Sequence, residues 1–113
     1  MRILAGVGML VLLGVAGCHS PYMEMDVINA TATPVSLVEV DYPSASFGVG
    51  ELGAGATFHY RFKILGSGAA KVLWTDAERK EHTVAGPEMR EGQQGNLTVT
   101  ISGDTAKWSE KLQ

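Results

Sequence analysis

Few side chains in this 113-residue sequence are suited to chemistry: three histidines (His19, His59 and His82), one cysteine (Cys18), and acidic residues around predicted turns, among them Asp76, Glu78, Glu81, Glu88 and Glu91. His59 and His82 fall on the outward phase of strand-like segments. They could meet across a sheet, with Glu81 or Asp76 beside them, and hold a small ligand or a metal ion. The chain has no HxH, HExxH or His/Cys cluster, so no metal site is assigned. Met23, Met25 and Met89 are soft donors of the kind copper takes, but the first two share one apolar strand face and read as core.

Ser46, His59 and Asp76 supply the residue types of a hydrolytic triad. Nothing in their spacing brings them together, and no nucleophile elbow is present, so the chain is not predicted to be an enzyme. Gly48-Val49-Gly50-Glu51-Leu52-Gly53 fits the G-x-G-x-x-G pattern. Dinucleotide binding needs a helix N-terminus after those glycines, whereas a strand pattern follows them here. They read as turn glycines, and no cofactor is expected. No D-x-D-x-D-G calcium loop accompanies the acidic turns, which are read as solvated. Asn29-Ala30-Thr31 and Asn96-Leu97-Thr98 match the glycosylation sequon by pattern alone.

Cys18 is the residue with the clearest context. Arg2 is followed by an uncharged, largely apolar run from Ile3 to Ala16, then Gly17-Cys18 and the polar residues His19 and Ser20. This is the order of a secretion signal: basic start, apolar stretch, small-residue cleavage site. At about 1.5 Å per residue the apolar run reaches roughly 21 Å as a helix, short of the roughly 30 Å hydrocarbon core. Val15-Ala16-Gly17-Cys18 resembles the lipobox of bacterial lipoproteins, with Val15 where the family usually has Leu. The resemblance covers residues 1–18. It implies that the Cys18 thiol receives a diacylglyceryl group and that cleavage removes residues 1–17. A lone cysteine in an exported chain can form no intramolecular disulfide, and lipidation gives it a use. Two or more acyl chains anchor stably at about 0.8 kcal/mol per buried CH₂.

From Cys18 onward the chain has 96 residues, enough for one modest domain. Arg2 is the only charged residue before Cys18, so the remainder carries twelve acidic residues against eight basic ones. That balance predicts no nucleic-acid partner. Residues 18–22 form a short tether, and the four residues between Cys18 and Met23 span about 13–14 Å at full extension. The domain is therefore expected to lie near the lipid headgroups. In the enterobacterial sorting pattern, Asp after the lipidated cysteine favours inner-membrane retention. His19 at that position points instead to the outer membrane, facing the periplasm.

The remaining residues, 23–113, must supply the scaffold. Period-two alternation marks strands at Met23, Met25 and Val27, at Phe58, Tyr60, Phe62 and Ile64, and at Leu97, Val99 and Ile101. In residues 35–42 the apolar phase slips between Leu37 and Val38, which predicts a β-bulge or a strand buried on both faces. Shorter strands are expected at 46–49, 71–75 and 81–85, the last two as a hairpin around 76–80. Breakers at Thr33-Pro34, Tyr42-Pro43, Gly53-Ala54-Gly55, Gly66-Ser67-Gly68, Gly86-Pro87 and Gly92-Gln93-Gln94-Gly95 separate them.

The expected fold is all-β: an immunoglobulin-like antiparallel β-sandwich of about seven strands, with Trp74 in its core. Residues 104–113 fit either period, and Trp108 is expected to cover an open part of the core. The expected function is a lipid-anchored cell-envelope protein, non-catalytic, attached to the membrane through Cys18 and presenting the sandwich to an envelope protein partner. Alternatives are a small-ligand or metal-binding envelope lipoprotein using His59 and His82, and a structural envelope-integrity lipoprotein.

Overall fold

The computed structural model describes residues 21–113; the sequence expectations for the signal, Cys18 and His19 lie outside them. Eight strands follow in order: β1 Met23–Asn29, β2 Val35–Tyr42, β3 Ala45–Leu52, β4 Thr57–Phe62, β5 Gly68–Thr75, β6 Glu81–Met89, β7 Gly95–Ser102 and β8 Thr105–Leu112. They form two four-stranded sheets packed as a β-sandwich, ordered β4-β1-β7-β8 and β3-β2-β5-β6. At one lateral edge β3 lies by β4, and at the other β6 lies by β8.

Alternation explains the core. Met23, Met25, Val27 and Asn29 on β1 and Leu97, Val99 and Ile101 on β7 all point inward and are buried. Facing them are Val35, Val38 and Val40 of β2 and Ala70, Val72 and Trp74 of β5. Full burial of each large aliphatic side chain is worth about 1.5–3 kcal/mol, so this layer is a major favourable contribution to folding.

The structure departs from the sequence expectation in several places. There are eight strands, because the unassigned tail forms β8 and pairs antiparallel with β7. The sandwich is not wholly antiparallel: β1 and β7 run parallel, with Met23 opposite Gly95 and Asn29 opposite Ile101. At the β3/β4 edge, Phe58 is only half-buried and Tyr60 is exposed, although their alternation predicts a core face. Tyr60 stacks on Phe47 across the gap between sheets, at 4.2 Å between centroids.

The expected slip in β2 is present. The β2–β5 register shifts between Ser36 and Glu39, and Leu37 adopts a φ of 51°.

Candidate functional site

Strand pairing places His59 on β4 directly opposite Asp26, and Arg61 opposite Glu24 on β1. All four project from the outer face of the β4–β1 pair. The His59 Nδ1–H donates to Asp26 Oδ1 at 2.7 Å and Nε2–H donates to Glu24 Oε1 at 2.8 Å. Arg61 Nε donates to the other Glu24 oxygen at 3.0 Å, and its guanidinium lies 3.9 Å over the Tyr22 ring. Both imidazole nitrogens serve as donors only when the ring is charged. The Asp26 hydrogen bond, then that of Glu24, accordingly raises the His59 pKa above its ordinary 6.5. The ring and the two carboxylates thus form a clasp that links β4 to β1.

His82 stands elsewhere. The sequence pattern predicts an outward face for it; the structure places it on the inward phase of β6, opposite Trp74 of β5. Its ring stacks on the Trp74 indole at 5.0 Å, leaving the side chain 10% exposed. The physical reason is register: in an antiparallel hairpin, directly opposed residues share a face, and Trp74 is core. Nε2–H of His82 donates to Asp76 Oδ2 at 2.8 Å. The other Asp76 oxygen accepts the backbone N–H of Glu78 at 2.8 Å and of Lys80 at 2.9 Å. Asp76 thus ties the five-residue turn to the strand after it, and the His82 bond, followed by the Lys80 N–H, lowers its pKa below the ordinary 3.8.

The two histidines therefore do not form one site, since they belong to different sheets, one outside and one inside. Ser46, His59 and Asp76 do not converge either: Ser46 pairs with Asp41 beside the β2–β3 turn, while Asp76 follows β5 at the opposite end of that sheet. Met89 is buried with the core, as are Met23 and Met25. Among the described residues no group of three or more His, Cys, Asp or Glu is arranged to hold a metal ion, and there is no helix after Gly53 to receive a pyrophosphate.

The Asp76–His82 pair borders an open cleft of about 450 Å³. Its walls come from the β1–β2 loop (Thr31, Thr33), the β5–β6 turn (Asp76, Lys80) and the β7–β8 turn (Asp104). Behind it stands Asn29, the one fully buried polar residue among the described residues. Its Nδ2 donates to the carbonyls of Thr33, Leu52 and Gly53 at 2.9–3.1 Å. Its Oδ1 accepts the Thr31 N–H at 3.0 Å and the Thr31 hydroxyl at 2.6 Å. The sequence pattern treated Asn29 only as the start of a sequon. Its phase with Met23, Met25 and Val27 was the signal that it points inward.

No protein-family model matches the sequence, and no curated protein matches it. Among solved structures, the chain is similar to a protein from Eubacterium rectale determined by NMR, with a TM-score of 0.58 and 14% sequence identity. The likeness covers 80% of this chain and 88% of that one, and at this identity it shows a shared fold.

Proposed function

We propose that the chain is a non-catalytic, lipid-anchored cell-envelope protein that presents its β-sandwich to a protein partner. What supports this reading is the course of the chain from Cys18 into the domain. With four residues between them, Cys18 leads into β1 at Met23, and the Asp76–His82 cleft lies beyond the other end of that strand. Seven residues at about 3.3 Å each separate the two ends by roughly 20 Å. A domain tethered at Cys18 would therefore hold its Tyr22 end at the headgroups and turn the cleft loops outward. His19 after the cysteine favours the outer membrane in the enterobacterial pattern.

Mass spectrometry of the protein extracted from the envelope tests the anchor. A mature N-terminus at Cys18 carrying a diacylglyceryl group is expected. An unmodified thiol, or residues 1–17 still attached, overturns the reading.

A second reading, a small-ligand-binding envelope protein, draws on the cleft beside His82 alone. Calorimetry with divalent metal ions on the wild type and on His82→Ala addresses it: heat that vanishes in the variant supports it, and equal heats dispose of it.

A further inference from the structure

Exposed sheet edges invite pairing with another strand, and proteins normally block them. Three of the four edges here carry such blocks. β4 presents His59 and Arg61 in ion pairs. β6 contains Pro87 and a register shift against β5, and β8 carries Lys107, Glu110 and Lys111. β3 differs: residues 45–49 have no charge and no proline, and they keep unbroken register with β2 from Val38 opposite Val49 to Tyr42 opposite Ala45.

The surface beside this edge is also unusual. Leu37 on β2 adopts a left-handed φ of 51° and is 69% exposed. A bulky residue seldom takes that conformation; here it falls at the register shift between Ser36 and Glu39, which turns the side chain out to solvent. Gly48 is required by the fold, since a Cβ there would meet the Val38 carbonyl oxygen at 2.4 Å. Gly50 is not required: a Cβ would meet nothing within 4 Å, and its φ is not positive. The bare glycines open a shallow cleft of about 390 Å³ over Leu37, Glu39, Ser46 and Phe47. Asp41 pairs with Lys71 at 3.7 Å, while the neighbouring Glu39 carboxyl interacts with that of Asp41 and makes no ion pair of its own among the described residues, so two acidic groups here share one cation.

We propose that the free edge of β3 takes an extended segment of a partner protein as an added strand, with an apolar side chain against Leu37 and a basic one, two positions away, against Glu39. A strand paired to β3 would lie about 10 Å from β2. With no side chain at Gly48 or Gly50 to intervene, long side chains of the added strand span that distance. The inference rests on the partner-presenting reading above and names its surface.

A second copy fits this edge less well. Antiparallel pairing of β3 with β3 about a two-fold axis turns one molecule end for end, so two copies tethered at Cys18 could not both reach one bilayer. It would also set two acidic faces side by side.

The test uses the protein purified as it matures in cells, with display selection of random decapeptides and the best binder synthesised as the probe. Binders should place an apolar and a basic residue two positions apart and slow hydrogen exchange of β3 amides at least tenfold. Leu37→Gly and Gly50→Lys should each weaken the probe at least tenfold. Leu37→Gly should also raise the thermal midpoint by relieving the left-handed backbone, so its loss of binding is not unfolding. The proposal is overturned by a selection that yields no binder, by binders lacking that pattern, or by unchanged affinity in the two variants. Self-association that protects β3 without peptide also overturns it. Protection centred on the Asp76 turn would overturn the β3 site while leaving the partner-presenting reading intact, and the anchor is judged separately by the mass of the Cys18 N-terminus.

Discussion

Trp108 lies on Gly86 so closely that a Cβ at position 86 would sit 2.7 Å from indole Cε2. Gly86 is on β6 and Trp108 on β8, so this contact closes the sandwich at the edge opposite the Phe47–Tyr60 stack. Gly86→Ala should cost about 1–3 kcal/mol by overpacking. In a Trp108→Ala background the same change should cost almost nothing, because the obstructing ring is gone. Urea denaturation of the two single variants and the double variant measures the coupling; additive costs would contradict the contact.

Asn29 should be among the most sensitive polar positions. Asn29→Leu removes a donor group shared by three carbonyls and the acceptor of Thr31. Net losses of about 1 kcal/mol per bond, with buried carbonyls left unpaired, predict destabilisation of roughly 3 kcal/mol or more. Hydrogen exchange should quicken first at Gly55 and Ala56, whose amides bond to the carbonyls of Asn29 and Gly53. A loss under about 1 kcal/mol would mean that the loop reorganises around the gap.

His59 gives folding a dependence on pH. Its folded-state pKa is raised above 6.5, so its contribution is complete below that value and fades as pH climbs through the folded-state pKa. His59→Gln should remove this slope from a plot of Tm between about pH 5 and 9, leaving the curve flatter on its alkaline side. An NMR titration of the wild-type ring that gave a midpoint at or below 6.5 would contradict the clasp with Asp26 and Glu24.

Asp76 acts in the opposite window. Its folded-state pKa lies below 3.8, so its contribution is present above that value and is lost as acid drives the pH down through the folded-state pKa. His82→Phe would keep a ring against Trp74 while removing the hydrogen bond. The Asp76 carboxyl titration, read by NMR, should then move up toward 3.8; an unmoved titration would show that the Lys80 and Glu78 N–H groups suffice.

Local pattern was enough for much of the scaffold. Met23, Met25 and Val27 alternate strictly and form the inner face of β1, and the phase slip at Leu37 became an actual break in register. Trp74 is core, as expected. Alternation alone sends His82 outward, although the hairpin around residues 76–80 is legible in the sequence. Counting outward from that turn sets Thr75 opposite Glu81 and Trp74 opposite His82, so the burial of Trp74 carries His82 inward with it. β8 was ambiguous because Trp108 and Leu112 fit both periods, and only the glycine at position 86 makes room for the indole. The β3 edge and the parallel β1–β7 pairing have no local signature at all, since each depends on which strands become neighbours.

That parallel pairing bears on how the molecule is made. β1 is the first strand of the described domain, yet it sits between β4 and β7 and cannot be enclosed until β7 exists. Met23, Met25 and Val27 must therefore wait, uncovered on one side, while some seventy further residues are added to the chain. Contacts so distant along the chain slow folding, and a nascent molecule in that interval is the form most exposed to chaperones, proteases and mispairing.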